Sequence, residues 1–298
     1  MPTRRRRRIA AVAAALVACC LAFSAWIVVR DRDSASSGAV SSELLQPRGD
    51  QAAAPGWPPG RPAMLSVDTP LAACEQRIEH QASRLPTVAI VGASYTAGTG
   101  PDNPQESWAV DLARLLHWNA VIYGVPGAGY VGTGQGGRGP MSRMLSQEEL
   151  RRLRPALVLV QAGHDDISVP AGLEGQRVRT AVDEIRAAAP GARIGLLTTF
   201  GTSPGGSPSL RETDRVIVAA GTAADPGVII MDPLAGHWMF PRAGRGALHP
   251  TAGGDAWIAG TVAGILRAHG VRSAAASSTT PVICDVSVGP GGPARTTA

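Results

Sequence analysis

A serine and a histidine in this sequence have the surroundings that an acyl-transfer centre needs. Ser94 lies in GASYTAG, directly after the short apolar run that ends at Gly92, and His249 lies in LHPTAGG, directly before a helical pattern. A serine hydroxyl is a weak nucleophile alone, so it needs a base within hydrogen-bond reach and N–H donors for the oxyanion formed on attack. Thr96 takes the last position of GASYT, so the segment does not fit a G-x-S-x-G turn.

The elements that must position these side chains are alternating strands and helices. Apolar runs of four to six residues with β-branched members are typical of strands buried on both faces. Strands that alternate with helices predict a parallel sheet in a three-layer α/β/α sandwich. The strands are predicted at Thr87–Val91, Ala120–Tyr123, Ala156–Gln161, Arg193–Thr198 and Val228–Met231, and the helices at Gln105–His117, Gln147–Leu153, Gln176–Ala189, Ser209–Ala220 and Thr251–Ala268.

The loops at the carboxyl ends of such strands form the usual site of an α/β protein. They hold Ser94, Gly127, Gly163–Asp166 and Asp232, which we therefore expect on one rim of the sheet.

Four segments, VGASYTAG, YGVPGAGY, QAGHDDI and LHPTAGG, resemble in order the four sequence blocks of the SGNH, or GDSL-like, hydrolases. The resemblance covers roughly residues 86–270. It implies a flavodoxin-like fold with a five-stranded parallel sheet, Ser94 as nucleophile and His249 as general base. It also implies an oxyanion hole formed by the N–H groups of Ser94 and Gly127. A helix that starts just after His249 disfavours the imidazolium, which keeps the base neutral.

The sequence departs from the family pattern after the third predicted strand. The pattern has Gly-x-Asn-Asp, whereas this chain has Gly163-His164-Asp165-Asp166. In the family the Asn side chain donates an N–H hydrogen bond to the oxyanion, whereas an ionised Asp165 has no proton to donate. Three alternatives remain open: Asp165 is protonated, it turns away and leaves the hole to two backbone amides, or His164 replaces it.

The second departure concerns the acid that orients the histidine. The pattern has Asp three residues before the histidine, and Gly246 stands there instead. Losing this acid costs orders of magnitude in rate. The alternatives are a Ser-His dyad in which a backbone carbonyl accepts the Nδ1 proton, Asp232 as the orienting acid, or a site without hydrolytic activity. We expect Asp255 to point elsewhere.

The favoured interpretation is a serine esterase that cleaves carboxylic esters, either O-acyl groups of cell-envelope glycans or lipid esters. The competing hypotheses are a ligand-binding protein with this fold, an O-acyltransferase, and a metal site built from His164, Asp165, Asp166 and His249. No cofactor and no metal are expected, and the protein is expected to be a monomer. The predicted substrate-binding side chains are Tyr95, Tyr130, His164 and Trp238.

The first 85 residues predict a membrane-tethered arrangement. Residues 1–8 carry five arginines, and Ile9–Val29 has no charge over 21 residues, which is about 31 Å of helix and enough to cross a bilayer. We expect residues 1–8 in the cytoplasm, a single-pass signal anchor at 9–29, a flexible linker and approach segment at 30–85, the domain at 86–270 outside the cytoplasm, and a tail at 271–298. Within the tail, PVICDVSV is a candidate short edge strand. A lipoprotein signal ending at Cys19 and a cleaved signal peptide remain alternatives.

Charge and cysteine content fit this arrangement. Six of the 28 basic residues precede residue 31, so the rest of the chain has 22 basic and 23 acidic residues. The domain therefore lacks the positive charge that nucleic-acid binding requires. All basic side chains are Arg, which excludes lysine chemistry. Outside the cytoplasm Cys74 and Cys284 could form a disulfide, the alternative being two separate thiols.

Overall fold

The structure is a computed structural model that describes residues 71–101, 103–144, 146–203, 205–243, 247–275 and 279–288. The predicted Arg-rich segment, the predicted anchor, most of the predicted linker, Gly246 and the last ten residues lie outside the described residues. The strands are β1 Thr87–Gly92, β2 Asn119–Gly124, β3 Leu157–Gln161, β4 Arg193–Leu197, β5 Ile229–Met231 and β6 Ile283–Asp285. The helices are α1 Leu71–Gln81, α2 Trp108–Leu116, α3 Met141–Met144, α4 Gln147–Leu153, α5 Ala171–Ala188, α6 Pro208–Ala224 and α7 Ala252–Ala268.

The strands form one parallel sheet in the order β5-β4-β3-β1-β2-β6. This confirms the α/β fold class, but the described sheet has six strands, one more than the five predicted. The additional strand is β6, which pairs with β2 from Ala120↔Ile283 to Ile122↔Asp285. It lies in the predicted tail, within the candidate edge strand PVICDVSV, and was not counted in the sheet because three strand residues in a Ser- and Gly-rich region give little periodic signal.

Alternate residues of each central strand face two separate cores. Val88 and Ile90 of β1 pack with α2 and α7, whereas Ala89 and Val91 pack with α5 and α6. Successive side chains of a strand point to opposite faces of the sheet, so a strand that is apolar at every position needs helices packed on both faces. The three-layer sandwich follows from this pattern.

Caps explain where the helices at the site begin. The predicted helix 105–117 starts as α2 only at Trp108, because the Ser107 side chain caps it by accepting the Val110 N–H. Thr251 is likewise the cap of α7, and its hydroxyl accepts the Gly254 N–H at 3.2 Å. Capping by Ser or Thr stabilises a helix start by about 1 kcal/mol. His249 therefore lies two residues before a fixed helix origin.

Helix α1 lies inside the segment 30–85, which was predicted to be a flexible linker and approach segment. Residues 71–81 of that segment are helical instead. Cys74 and Ile78 of α1 are fully buried, and Cys74 forms a disulfide with Cys284 of β6 across a Cα–Cα distance of 5.9 Å. Arg152 of α4 pairs with Glu75 and Glu79 on the same helix. These contacts attach α1 to the sheet and confirm the predicted disulfide pairing.

Among the helices of the described ranges, none combines the length and the apolar content needed to cross a membrane. The predicted anchor at 9–29 is outside these ranges.

Candidate active site

Ser94 lies in a tight turn directly after β1, and the end of β3 holds this turn. The Gln161 side-chain oxygen accepts the Ala93 N–H at 3.1 Å and the Thr96 hydroxyl at 3.0 Å. Gly92 must lack a side chain, because a Cβ there would lie 2.0 Å from the Thr96 hydroxyl oxygen. The turn is thus fixed by two buried hydrogen bonds on either side of Ser94.

His249 reaches Ser94 from the other end of the sequence. Its Nε2 lies 2.8 Å from the Ser94 Oγ, although 155 residues separate the two along the chain. Partial burial lowers the pKa of His249 below its ordinary value, and the nearby His164 and Arg242 shift that pKa in the same direction. A neutral imidazole can accept the Ser94 proton, so the pair has the geometry and the charge state of a nucleophile with its base.

No acid orients the imidazole within the described residues. The Ser94 contact is the one hydrogen bond that the described chain gives to the His249 ring, so neither a carboxylate nor a backbone carbonyl accepts from Nδ1 there. Asp232, the predicted orienting acid, instead accepts the Ala235 N–H at 2.8 Å and closes the turn after β5. Asp255 points elsewhere as expected and accepts the Trp108 N–H at 2.9 Å. The structure therefore does not bring Asp232 to His249.

Two backbone N–H groups near Ser94 are left without an acceptor. Neither the Ser94 N–H nor the Gly127 N–H donates to any group of the described residues. Gly127 has φ +77° and is exposed, so its backbone faces solvent in a conformation that favours glycine. Both groups lie on the rim where the resemblance expects an oxyanion hole.

The two aspartates after β3 have different surroundings. The Asp165 side chain is exposed and makes no hydrogen bond within the described chain, and partial loss of hydration together with the neighbouring Asp166 raises its pKa to about 6. Asp165 can donate a proton only on the acid side of this value. At neutral pH it is mostly ionised, so it is poorly suited to donate to an oxyanion.

Asp166 is buried, and sequence reasoning missed its function. Its two carboxylate oxygens accept the N–H groups of Tyr130, Val131 and Gly132 at 2.6, 3.3 and 2.9 Å. The carboxylate thereby holds the glycine-rich loop that begins after β2 and includes Gly127. The sequence signal for it was the second Asp of QAGHDDI, a motif that does not reveal backbone partners more than 30 residues away.

The aromatic side chains predicted to bind substrate are largely buried. Tyr95 is 1% exposed and stacks on Phe200 with 4.3 Å between ring centroids. Tyr130 is 2% exposed and belongs to the core that includes Ala89 and Val91. Trp238 is 9% exposed and packs between Phe200 and Trp257. These three side chains offer little surface to a ligand, so the prediction is corrected to core packing.

His164 is half-buried in the turn after β3. Desolvation lowers its pKa, and a backbone hydrogen bond with Phe200 acts in the opposite direction. In the described ranges no three His, Cys, Asp or Glu side chains converge in a way that could hold a metal ion. Asp166, a member of the hypothetical metal set, uses both of its oxygens on the glycine-rich loop.

The hydrogen-bonded Ser94 and His249 side chains lie at the carboxyl rim of a parallel α/β sandwich, an arrangement that could support acyl transfer. A sequence model of the GDSL-like Lipase/Acylhydrolase family matches residues 90–257, and the chain belongs to this family. It is therefore an ester-hydrolysing enzyme.

Three individual proteins are similar to this chain. GDSL lipase Rv0518 of Mycobacterium tuberculosis (strain ATCC 25618 / H37Rv) is 28% identical over 193 residues, which are 61% of this chain and 82% of that protein. A family two carbohydrate esterase from Cellvibrio japonicus has the same fold with a TM-score of 0.51 at 15% identity, covering 62% of this chain and 61% of that one. The family 2 carbohydrate esterase of Corynascus thermopiles (Myceliophthora fergusii) matches with a TM-score of 0.48 at 17% identity, over 62% of this chain and 67% of that one.

Proposed function

We propose that Ser94 and His249 are the catalytic dyad of a serine esterase. The 2.8 Å contact between the His249 Nε2 and the Ser94 Oγ carries the proposal. In the first step His249 takes the hydroxyl proton while the Ser94 Oγ bonds to the ester carbonyl carbon. The carbonyl oxygen becomes an oxyanion that accepts hydrogen bonds from the N–H groups of Ser94 and Gly127.

Collapse of this intermediate breaks the bond to the alcohol, which takes the proton from His249 and leaves an acyl-enzyme. Water then donates a proton to His249 and attacks the acyl carbon. A second collapse releases the carboxylic acid and returns the proton to the Ser94 Oγ. The lowered pKa of His249 supports its function as the base at neutral pH.

The missing acid predicts a slow enzyme. In a Ser-His-Asp triad, replacing the acid lowers kcat by about 10⁴, because the imidazole loses its correct tautomer. This chain has Gly246 at the family's acid position, and Asp232 is engaged elsewhere. We therefore expect activity on activated esters and weak activity on unactivated ones.

We further propose that the domain acts outside the cytoplasm on O-acyl glycans or lipid esters. The Cys74–Cys284 disulfide favours an oxidising compartment, and the uncharged segment 9–29 after five arginines favours a membrane anchor. The names of the relatives, a lipase and two carbohydrate esterases, support both substrate classes.

The test is hydrolysis of p-nitrophenyl acetate, with labelling by a fluorophosphonate as a second readout. Ser94→Ala and His249→Ala should each lower kcat to the background rate, and Ser94→Ala should abolish labelling. Asp232→Ala should keep at least half of the wild-type kcat. His80→Ala on the exposed face of α1 is the matched histidine control. An intact wild-type domain that neither hydrolyses the ester nor reacts with the probe would favour a binding protein.

A further inference from the structure

The residues next to Ser94 and His249 are themselves hydrogen-bonded to each other. The Tyr95 hydroxyl donates to the Leu248 carbonyl oxygen at 2.5 Å. Tyr95 directly follows Ser94, and Leu248 directly precedes His249. A bond one residue away from each member of the pair therefore joins the turn after β1 to the loop before α7.

Arg242 donates to the same carbonyl. Its guanidinium donates to the Leu248 carbonyl, to the Tyr95 hydroxyl at 3.2 Å and to the Gly201 carbonyl at 2.6 Å. It also stacks on Phe240, with 4.1 Å from its central carbon to the ring centroid. The planar fork of an arginine holds several donors in fixed directions, a geometry that the compact ammonium of a lysine does not reproduce.

The backbone holds the histidine loop at a second place. Arg242 and Pro250 form an antiparallel bridge, in which the Ala243 N–H donates to the His249 carbonyl at 3.3 Å and the Thr251 N–H donates to the Pro241 carbonyl at 3.1 Å. The backbone on both sides of the imidazole is thus hydrogen-bonded to fixed groups.

We propose that Tyr95 and Arg242 are positioning residues: by fixing the Leu248 carbonyl they hold the His249 imidazole against Ser94, which supplies the placement but not the charge of the absent acid. We call these two residues the Leu248 clamp. The proposal rests on the proposed Ser94–His249 dyad and adds the reason why the dyad stays assembled without an aspartate.

The alternative is that the clamp only stabilises the fold, and its position argues against this. Tyr95 is held independently by stacking on Phe200 and by edge contact with Phe240, so its ring does not need the hydroxyl to stay in place. The ring also lies 5.4 Å from the His249 ring. The hydroxyl therefore orders the histidine loop rather than the core below it.

The charges around the pair give a second readout. His249 is faced by Arg242 and by His164 from the turn after β3, and both lower its pKa. Tyr95 is faced by Arg242, by Asp255 of α7 and by Asp165. Removing the arginine charge should therefore raise the pKa of His249, whereas a change in fold stability alone would not.

The experiment measures kcat, KM and the pH profile of kcat/KM with p-nitrophenyl acetate for the full chain. Tyr95→Phe, Arg242→Lys and Arg242→Gln should each lower kcat about 10- to 100-fold, since a small misplacement of a reacting group has this effect, while KM changes less than threefold. The double variant Tyr95→Phe/Arg242→Gln should lose no more than the worse single variant, because both residues act on one carbonyl. Arg242→Gln should shift the acid limb to higher pH, and Arg242→Lys should leave it in place.

Two variants far from the site are matched controls. Tyr123→Phe removes a hydroxyl that bonds Glu75 and Glu149, and Arg186→Gln removes a guanidinium that donates to the Pro190 and Ala192 carbonyls. Both should keep wild-type kcat. If Tyr95→Phe and Arg242→Lys have wild-type kcat while Ser94→Ala is inactive, the clamp is wrong and the dyad stands. If Ser94→Ala keeps wild-type activity, the proposed dyad itself fails.

Discussion

The glycine-rich loop after β2 offers a test in which backbone strain and catalysis can be separated. Gly127 and Gly137 both have positive φ, +77° and +64°, and both are exposed. A Cβ at Gly127 would have its nearest neighbour at 3.5 Å, an ordinary contact, and a Cβ at Gly137 would meet nothing within 4 Å. Alanine at either position therefore introduces strain without a clash.

The magnitude of the strain should be the same at both positions. An L-residue in the left-handed region costs roughly 1–2 kcal/mol, and each kcal/mol lowers Tm by about 2–4 °C in a domain of this size. Gly127→Ala and Gly137→Ala should thus each lower Tm by about 2–8 °C.

The catalytic effect should differ between the two variants. Strain at Gly127 relaxes by rotating the backbone whose N–H we assign to the oxyanion hole, and losing one such donor lowers kcat by about 10²–10³. Gly127→Ala should approach this loss, whereas Gly137→Ala should keep kcat within twofold. Calorimetry and steady-state hydrolysis of p-nitrophenyl acetate measure the two effects. Equal kcat values for both variants at equal Tm would refute the assignment of Gly127.

Two further predictions concern stability. Burial raises the pKa of Asp255 to about 8, so the folded protein binds the carboxyl proton more tightly than the unfolded chain does. The protonated carboxyl therefore contributes fully to stability below about pH 4, and this contribution is lost as the pH rises to 8. The free energy of unfolding of the wild type, relative to Asp255→Asn, should decrease by a few kcal/mol over this window in urea titrations, and a constant difference would contradict the argument. The second prediction concerns the disulfide, whose cysteines lie 210 residues apart: Cys74→Ala with Cys284→Ala should lower the free energy of unfolding by about 2–5 kcal/mol, and an unchanged urea midpoint would show that α1 docks without the bond.

Long apolar runs made the centre of the fold predictable from sequence. Strands β1 to β5 carry apolar residues on both faces, and the predicted α4, Gln147–Leu153, matches the structure residue for residue. Helix α1 was not predicted, and strand β6 gave only the weak signal of a short edge strand, because the two depend on each other through Cys74 and Cys284. Local composition in both regions is that of a spacer, and a contact between distant segments leaves no periodic signal.

The same distinction applies to the site. Ser94 and His249 could be identified because short motifs surround each of them. Gln161, Asp166 and Arg242 could not, because each acts on backbone groups that are far away in sequence. Gln, Asp and Arg occur in many ordinary loops, so the residue types alone do not mark these positions. Only the hydrogen-bond distances in the structure show what these three side chains do. Tyr95 was expected to contact substrate because exposure cannot be read from a motif.

The disulfide has a consequence for the sides of the sheet as well as for its stability. Strand β6 covers the outer side of the six-residue β2 through three register pairs, and Cys284 ties it to α1. An uncovered strand exposes a row of N–H and C=O groups that can recruit a second chain. In a reducing solution β6 is held by its short pairing with β2 and by flanking hydrogen bonds, such as the one from the Gly124 N–H to the Ser287 hydroxyl at 2.9 Å. Release of β6 would open β2 as a template for self-association. The disulfide thereby protects the protein from self-association. The first sign of its reduction should be concentration-dependent aggregation of protein that is otherwise still folded.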